Sequence, residues 1–287
     1  MVVPRAVIRD VDTGPAATRL MAMIMLVISV SPMIAPLAGS GVIAVAGWRA
    51  VFFVIAAMAV LSILLTLSFL PETLTVEDRV KVNLANMRQG LGRLSRDAKF
   101  VGLTLVGAFG TSSFFIFIAS APFVYTGVYG LTPTGFALAF AANAVGFFSA
   151  SQLAGPLSDR IGMARVVFQG GAICAAFGCI LLVSVLTGFS PFWFVVSGLF
   201  LANAGLGLVI PTVMVMALDD HGPIAGLASS FGGTLQMTIG GLSIAVAGPF
   251  FDGTVAPMIT AIVVCCLLCF ATIYLTLGRP VSSAGAA

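Results

Sequence analysis

The sequence predicts an all-α polytopic membrane protein of about eight transmembrane helices, and three observations carry that expectation. Of its 287 residues, 60% are hydrophobic and only 8% charged, whereas a soluble domain carries about 25% charged residues. The few charges are clustered, leaving long uncharged runs. The basic residues fall on alternate connections between those runs. Too little polar surface is available to face water, so lipid must cover most of the outside.

The uncharged runs extend over Leu20–Ala46, Ala50–Leu70, Phe100–Ser158, Val166–Leu218, Gly222–Phe251 and Gly253–Gly278. A spanning helix needs roughly 20 apolar residues. Four runs suit one span each. The other two must fold back, and each contains turn chemistry: Gly130-Leu131-Thr132-Pro133 and Gly188-Phe189-Ser190-Pro191. Before the first run, Met1–Ile8 is too short for the apolar core of a signal peptide and Arg9-Asp10 follows at once. The opening residues therefore read as the cytoplasmic end of an earlier helix.

Arg5, Arg9, Arg19, Arg79, Lys81, Arg88, Arg93, Arg96, Lys99, Arg160, Arg165 and Arg279 lie on one set of connections, and Arg49 alone on the other. The positive-inside rule places the rich side, and with it both termini, in the cytoplasm. The expected location is the inner (plasma) membrane.

Four segments follow. Residues 1–70 hold the end of one helix and two spans; 71–99 form a cytoplasmic linker; 100–278 hold six spans; 279–287 form a small polar tail, expected to be disordered. Within the linker, Val76, Val80, Leu84, Met87, Leu91 and Leu94 recur every three or four residues, with Lys81, Arg88, Arg93 and Arg96 on the opposite face. That spacing predicts an amphipathic helix on the cytoplasmic membrane surface; a flexible charged linker is the alternative. Small residues such as Gly205, Gly207, Gly232-Gly233 and Gly240-Gly241 let helix backbones approach closely. Cys174, Cys179, Cys265, Cys266 and Cys269 all sit in apolar runs and read as small packing side chains, with no His or carboxylate nearby to complete a metal site.

Few polar residues lie inside the spans: Asn143, Gln152, Asn203 and Gln236 are the main ones. An amide in hydrocarbon is costly unless paired, so each is expected to face the protein interior. Asn143 and Gln236 are the best candidates for a central cavity, with interhelical hydrogen bonding as the alternative. Phe114, Phe115 and Phe117, with Tyr125 near the outer end of their span, offer aromatic walls for an apolar ligand.

Four motifs carry a resemblance. Arg5-Ala6-Val7-Ile8-Arg9-Asp10 closes a helix. Ser31-Pro32-Met33-Ile34-Ala35-Pro36-Leu37-Ala38-Gly39-Ser40 is similar to an antiporter motif, GxxxGPxxGG, matched at Pro36 and Gly39. Gly47-Trp48-Arg49 opens a phenylalanine-rich span ending Leu70-Pro71-Glu72-Thr73-Leu74. Gly155-Pro156-Leu157-Ser158-Asp159-Arg160-Ile161-Gly162 looks like the second copy of the GxLaDrxGrk loop, with Met163 and Ala164 in place of basic residues. In this order they resemble the major facilitator superfamily, and within it the Bcr/CflA-type drug:proton antiporters.

The resemblance implies a twelve-helix bundle in two halves, of which this chain keeps the end of the fourth helix, the fifth, the sixth and the whole second half. It implies proton-coupled efflux of small hydrophobic drugs or related metabolites, incomplete in this chain as it stands. Pro36 and Gly39 would belong to the helix sealing the outer side. Gly155, Asp159, Arg160 and Gly162 would form a charge-linked cytoplasmic latch. The coupling carboxylate would lie in a first helix outside this sequence. The expected partners are the bilayer, a small hydrophobic substrate and protons, with no nucleic acid, no cofactor or metal, and a single working chain. The alternative is a non-transporting membrane fragment or scaffold from a decayed or mis-started gene. Catalysis is not expected: only Asp219, Asp220 and His221 gather polar chemistry near a membrane face.

Overall fold

A computed structural model of the chain describes residues 34–35, 38–70, 84–219, 221 and 224–278. Expectations placed on Arg5–Asp10, Pro36, residues 71–83, Asp220 and the tail after Gly278 lie outside them. The described residues are helical apart from short turns, with no strand among them. The helices are α1 (Trp48–Phe69), α2 (Leu84–Arg96), α3 (Ala98–Pro122), α4 (Pro133–Ile161), α5 (Met163–Leu186), α6 (Phe192–Asp219), α7 (Ala225–Ala247) and α8 (Ala256–Leu277). Residues 38–46, ahead of α1, are also helical.

Among the described residues, 6 helices are long and apolar enough to cross a membrane: α1, α3 with its continuation to Val128, α4, α5, α6 and α8. The chain is an all-α, multi-pass membrane protein. α7, at 23 residues, has the length of a span. Its Gly232, Gly233, Gly240 and Gly241, with Ser229, Ser230, Thr234 and Gln236, dilute its apolar character. The remaining expected span falls in residues 20–46, of which only the end is described.

Contacts divide the chain into two units. The first takes in residues up to Asn83 together with Pro133–Ala141. Here Gly47, at φ 74°, separates helical residues 38–46 from α1. Arg49 then lays its guanidinium over the Trp48 ring, 4.4 Å from the centroid. α1 is apolar on all sides and has no buried residue, the pattern of a helix solvated by hydrocarbon rather than water.

The second unit takes in Leu84–Thr132 and Ala142 onward. α3 is its central helix, packed against α6, α7 and α8. Leu103 and Val106 of α3 meet Val167 of α5, Val209 and Val213 of α6, and Cys269 and Ile273 of α8 in one buried cluster. Among the described helices, α5 and α6 share the most extensive contact. A Cβ on Gly170 would lie 2.7 Å from the Gly205 carbonyl, and one on Gly205 would lie 2.8 Å from the Cys174 amide nitrogen. Only glycine permits this backbone-to-backbone approach. The part of α4 in this unit meets α6 the same way, where Gly146 faces Phe200 and Gly207 faces the Phe147 carbonyl.

Both expected turns fall where the chain turns. Gly130 (φ 63°) precedes Pro133 at the start of α4, and Gly188 (φ 82°) precedes Phe192 at the start of α6. Before the first turn, α3 passes through Pro122 into a π-helical segment, Phe123–Val128. At the loop before α8, the Thr254 hydroxyl and backbone N–H both donate to one Asp252 oxygen, at 2.7 and 2.9 Å. These bonds hold the exposed Asp252 carboxyl below its ordinary pKa.

α2 has the predicted amphipathic pattern, yet the end of its apolar stripe is covered by protein. Leu94 is fully buried with Phe100 of α3 and Ala228 of α7, whereas Met87 is exposed. One turn on, Asp97 caps α3 by accepting from the backbone N–H groups of Lys99 (2.9 Å) and Phe100 (3.2 Å).

Candidate functional site

The motif at Gly155–Gly162 folds as the end of α4 and its turn into α5. Gly162 alone separates the two helices, at φ 88°, a left-handed conformation that a side chain would strain. Its N–H donates to the Ser158 carbonyl at 2.9 Å, and its own carbonyl accepts from Val166 N–H at 3.2 Å. Asp159 and Arg160 are exposed here, and neither forms an ion pair among the described residues. Arg160 borders a groove of about 470 Å³ with Pro156, Leu157, Leu153, Ile173 and Leu208. Gly155 is exposed, with open space where its Cβ would be.

Deeper in the second unit lies a polar cluster. Asn143 of α4 and Asn203 of α6 are buried, and the Asn203 side-chain amide donates to the Asn143 carbonyl oxygen at 3.4 Å. Asn143 in turn donates to the Tyr125 hydroxyl at 3.5 Å. These are long bonds, but they join α4, α6 and the π-helical segment where lipid supplies no alternative partner. Phe117 is buried edge-on to Tyr125, at a centroid distance of 6.4 Å. Phe114, half-buried, stacks on Phe147 at 5.2 Å. Phe147 lies one helical turn beyond Asn143 on α4, so aromatic and amide groups form a continuous patch between α3 and α4.

Gln236 stands elsewhere. Half-buried on α7, it lies over Gly107 of α3 and borders a small cavity of about 40 Å³ with Thr104, Val213 and Gly233. The structure thus brings Asn143, Phe114 and Phe117 into one region and leaves Gln236 in another. Gly39 is half-buried within helical residues 38–46. The cysteines are unbonded thiols in helix contacts. Cys174 and Cys266 bring their sulfurs within 2.7 Å, and Ser113 Oγ lies 3.4 Å from Cys266.

The pairing of Asn143 with both Asn203 and Tyr125 could not be read from sequence, because helix order does not fix rotation. Nor could the contact of His221 Nε2 with Asp97 Oδ2, at 3.1 Å. Asp97 did carry a signal, an acidic residue directly before an apolar run, which is an N-cap signature.

The model of the Major Facilitator Superfamily matches residues 1–248. The chain belongs to the major facilitator superfamily. A facilitator chain of this kind has several relatives of named type. It is 27% identical over 260 residues to an uncharacterized MFS-type transporter of Bacillus subtilis, covering 90% of this chain and 64% of that protein. It is 24% identical to a bicyclomycin resistance protein homolog of Haemophilus influenzae, over 99% of this chain and 71% of the relative. It is 28% identical to a chloramphenicol resistance protein of Pseudomonas aeruginosa, over 84% of this chain and 58% of the relative. The second and third are named for drug resistance, the type toward which the motif resemblance pointed. The facilitator chain spans a little under two thirds of the length of the first relative. Its family is one of transporters.

Proposed function

We propose that this chain supplies the second half, and part of the first, of a proton-coupled exporter of small hydrophobic drugs or related metabolites in the inner (plasma) membrane. The observation that carries the reading is alignment, over 99% and 84% of this chain, with relatives named for bicyclomycin and chloramphenicol resistance. The single-residue turn at Gly162, presenting Asp159 and Arg160 together, supports a role for that corner as the latch. The exposed pair is free to meet a partner in one transport state and release it in the other, and a contact worth about 0.3–1 kcal/mol biases such an equilibrium without locking it.

In this reading, Phe114 faces substrate from the α3–α4 patch, and Gln236 does so from its separate position on α7. Asn143 and Phe117 hold the wall behind Phe114. Pro36 and Gly39 belong to the outer seal. Both termini lie in the cytoplasm. The protein works as a single chain.

The test is accumulation of chloramphenicol and bicyclomycin in cells expressing a full-length transporter that carries this sequence, with and without a proton uncoupler. Uncoupler-sensitive export is expected. Asp159→Asn is expected to reduce the export rate without reducing the amount of protein in the membrane. Equal accumulation in expressing and control cells overturns the reading.

A further inference from the structure

The corner where α2 meets α3 contains a second, polar cavity that the transport reading does not use. It has a volume of about 650 Å³ and is lined by Gln89, Gly92, Arg93, Arg96, Asp97 and His221. Gln89, Gly92, Arg93 and Arg96 follow one another at helical spacing, so α2 presents them on one face. Gly92 leaves the middle of that face empty, with nothing within 4 Å of where its Cβ would be.

Among the described residues that line the cavity, Asp97 is the one carboxylate, and both of its oxygens are engaged: Oδ1 by the backbone N–H groups that it caps, Oδ2 by His221. His221 is itself held in place, 7% exposed and edge-on to Phe100 at 5.2 Å. Arg93 and Arg96 form no ion pair or hydrogen bond among the described residues. Two guanidinium groups and an amide therefore face one polar concavity in which, among the described lining residues, no carboxylate other than the engaged Asp97 meets them. Guanidinium groups match phosphate oxygens in geometry as well as charge.

The position supplies the second half of the argument. Asp97 directly precedes the span beginning at Ala98, and His221 follows two residues after the span ending at Asp219. The cavity therefore sits at the level where α3 enters and α6 leaves the hydrocarbon, which is the depth of lipid phosphates. Leu94 pins the amphipathic helix to α3 and α7 at this level. Basic pockets at the ends of transmembrane helices are suited to anionic headgroups.

We propose that Arg93, Arg96 and Gln89 form a binding site for the phosphate of an anionic phospholipid at the α2–α3 corner. The site does not depend on the transport reading and is tested without any transport measurement. Full-length chain in neutral detergent is titrated with phosphatidylglycerol, phosphatidylcholine or inorganic phosphate, and retained ligand is counted by native mass spectrometry. Phosphatidylglycerol is expected to bind in preference to phosphatidylcholine. Arg93→Gln with Arg96→Gln should weaken its binding about 25-fold, at roughly fivefold for each basic side chain beside an anionic lipid. Arg88→Gln removes an exposed arginine that does not line the cavity and should leave binding unchanged. Gly92→Glu introduces a carboxylate into open space and should abolish binding even if the double substitution impairs folding. Equal retention of phosphatidylcholine overturns the proposal, as does phosphatidylglycerol binding that survives both sets of substitutions. Inorganic phosphate binding as tightly as the lipid would make the site one for the free anion and overturn the lipid assignment.

Discussion

α5 and α6 lie together so closely that their backbones touch, while α7 and α8 share few contacts although both pack on α3. The residues facing each other account for the difference. Gly170 and Gly205 remove the side chains that would hold α5 and α6 apart. Between α7 and α8, by contrast, Ile239, Leu242 and Val246 look toward Ala261, Val264 and Leu268 across an apolar groove of about 710 Å³, with Ile116 of α3 among its lining residues. Leu242 and Val264 remain 60% and 49% exposed there. Hydrocarbon solvates these side chains as well as protein does, so no hydrophobic drive closes the gap. In a bilayer, helices meet where their surfaces are small or polar, and mean hydropathy does not report that.

Substitutions at the two places should separate these cases. The largest effect is expected from Gly205→Leu. Its side chain would collide with the Gly170 carbonyl and the Cys174 backbone, and neither can move without separating the helices. A loss of at least about 3 kcal/mol is expected, read as a sharp fall in folded protein after detergent extraction. Next is Asn203→Leu, which removes the amide that donates to Asn143. Leaving a buried acceptor without that donor costs about 1–3 kcal/mol, read as a lower thermal midpoint. Asn143→Leu combined with Asn203→Leu should cost less than the two single changes added together.

Tyr125→Phe should cost less again, about 0.6 kcal/mol, the typical worth of a side-chain hydrogen bond between membrane helices. In the groove, Ala261→Leu should change stability by less than about 0.5 kcal/mol, read from the same midpoint, as expected of a site outside tight packing. A large loss there would show that α7 and α8 close on each other, and would break the contrast. The smallest effect concerns pH. Thr254 holds Asp252 below its ordinary pKa, so the stability it adds to the loop is present at neutral pH and disappears as the pH falls below the ordinary carboxylate range. Protection of the Thr254 amide from hydrogen exchange, relative to its intrinsic rate at each pH, should fall there, and Thr254→Val, which keeps the backbone N–H bond to Asp252, should weaken the dependence.

The same contrast explains what was legible in the sequence. Spans and turns were, because charge-free length and positive-φ glycines are local properties. Gly130, Gly162 and Gly188 mark turns in the chain as their sequence neighbours suggest. The closeness of α5 and α6 was half legible. Gly205 and Gly207 signalled packing, but their opposite numbers, Gly170 and the Phe147 carbonyl, depend on helix rotation. The candidate site was less legible still. Asn143 announced itself as a buried amide, but its partners, Asn203 and Tyr125, come from helices 60 and 18 residues away in sequence. For α2, the apolar stripe was plain. That Leu94 would be covered by Phe100 and Ala228 followed from where α3 and α7 begin, which no pattern within α2 contains.

Gly162 has a mechanical consequence. One residue is too short a tether for α4 and α5 to swing separately, and the glycine contacts fasten α5 to α6 in turn. The part of α4 from Ala142 on, α5 and α6 are thereby fastened in series, and this group meets α3 and α8 along the seam of Leu103, Val167, Val209 and Ile273.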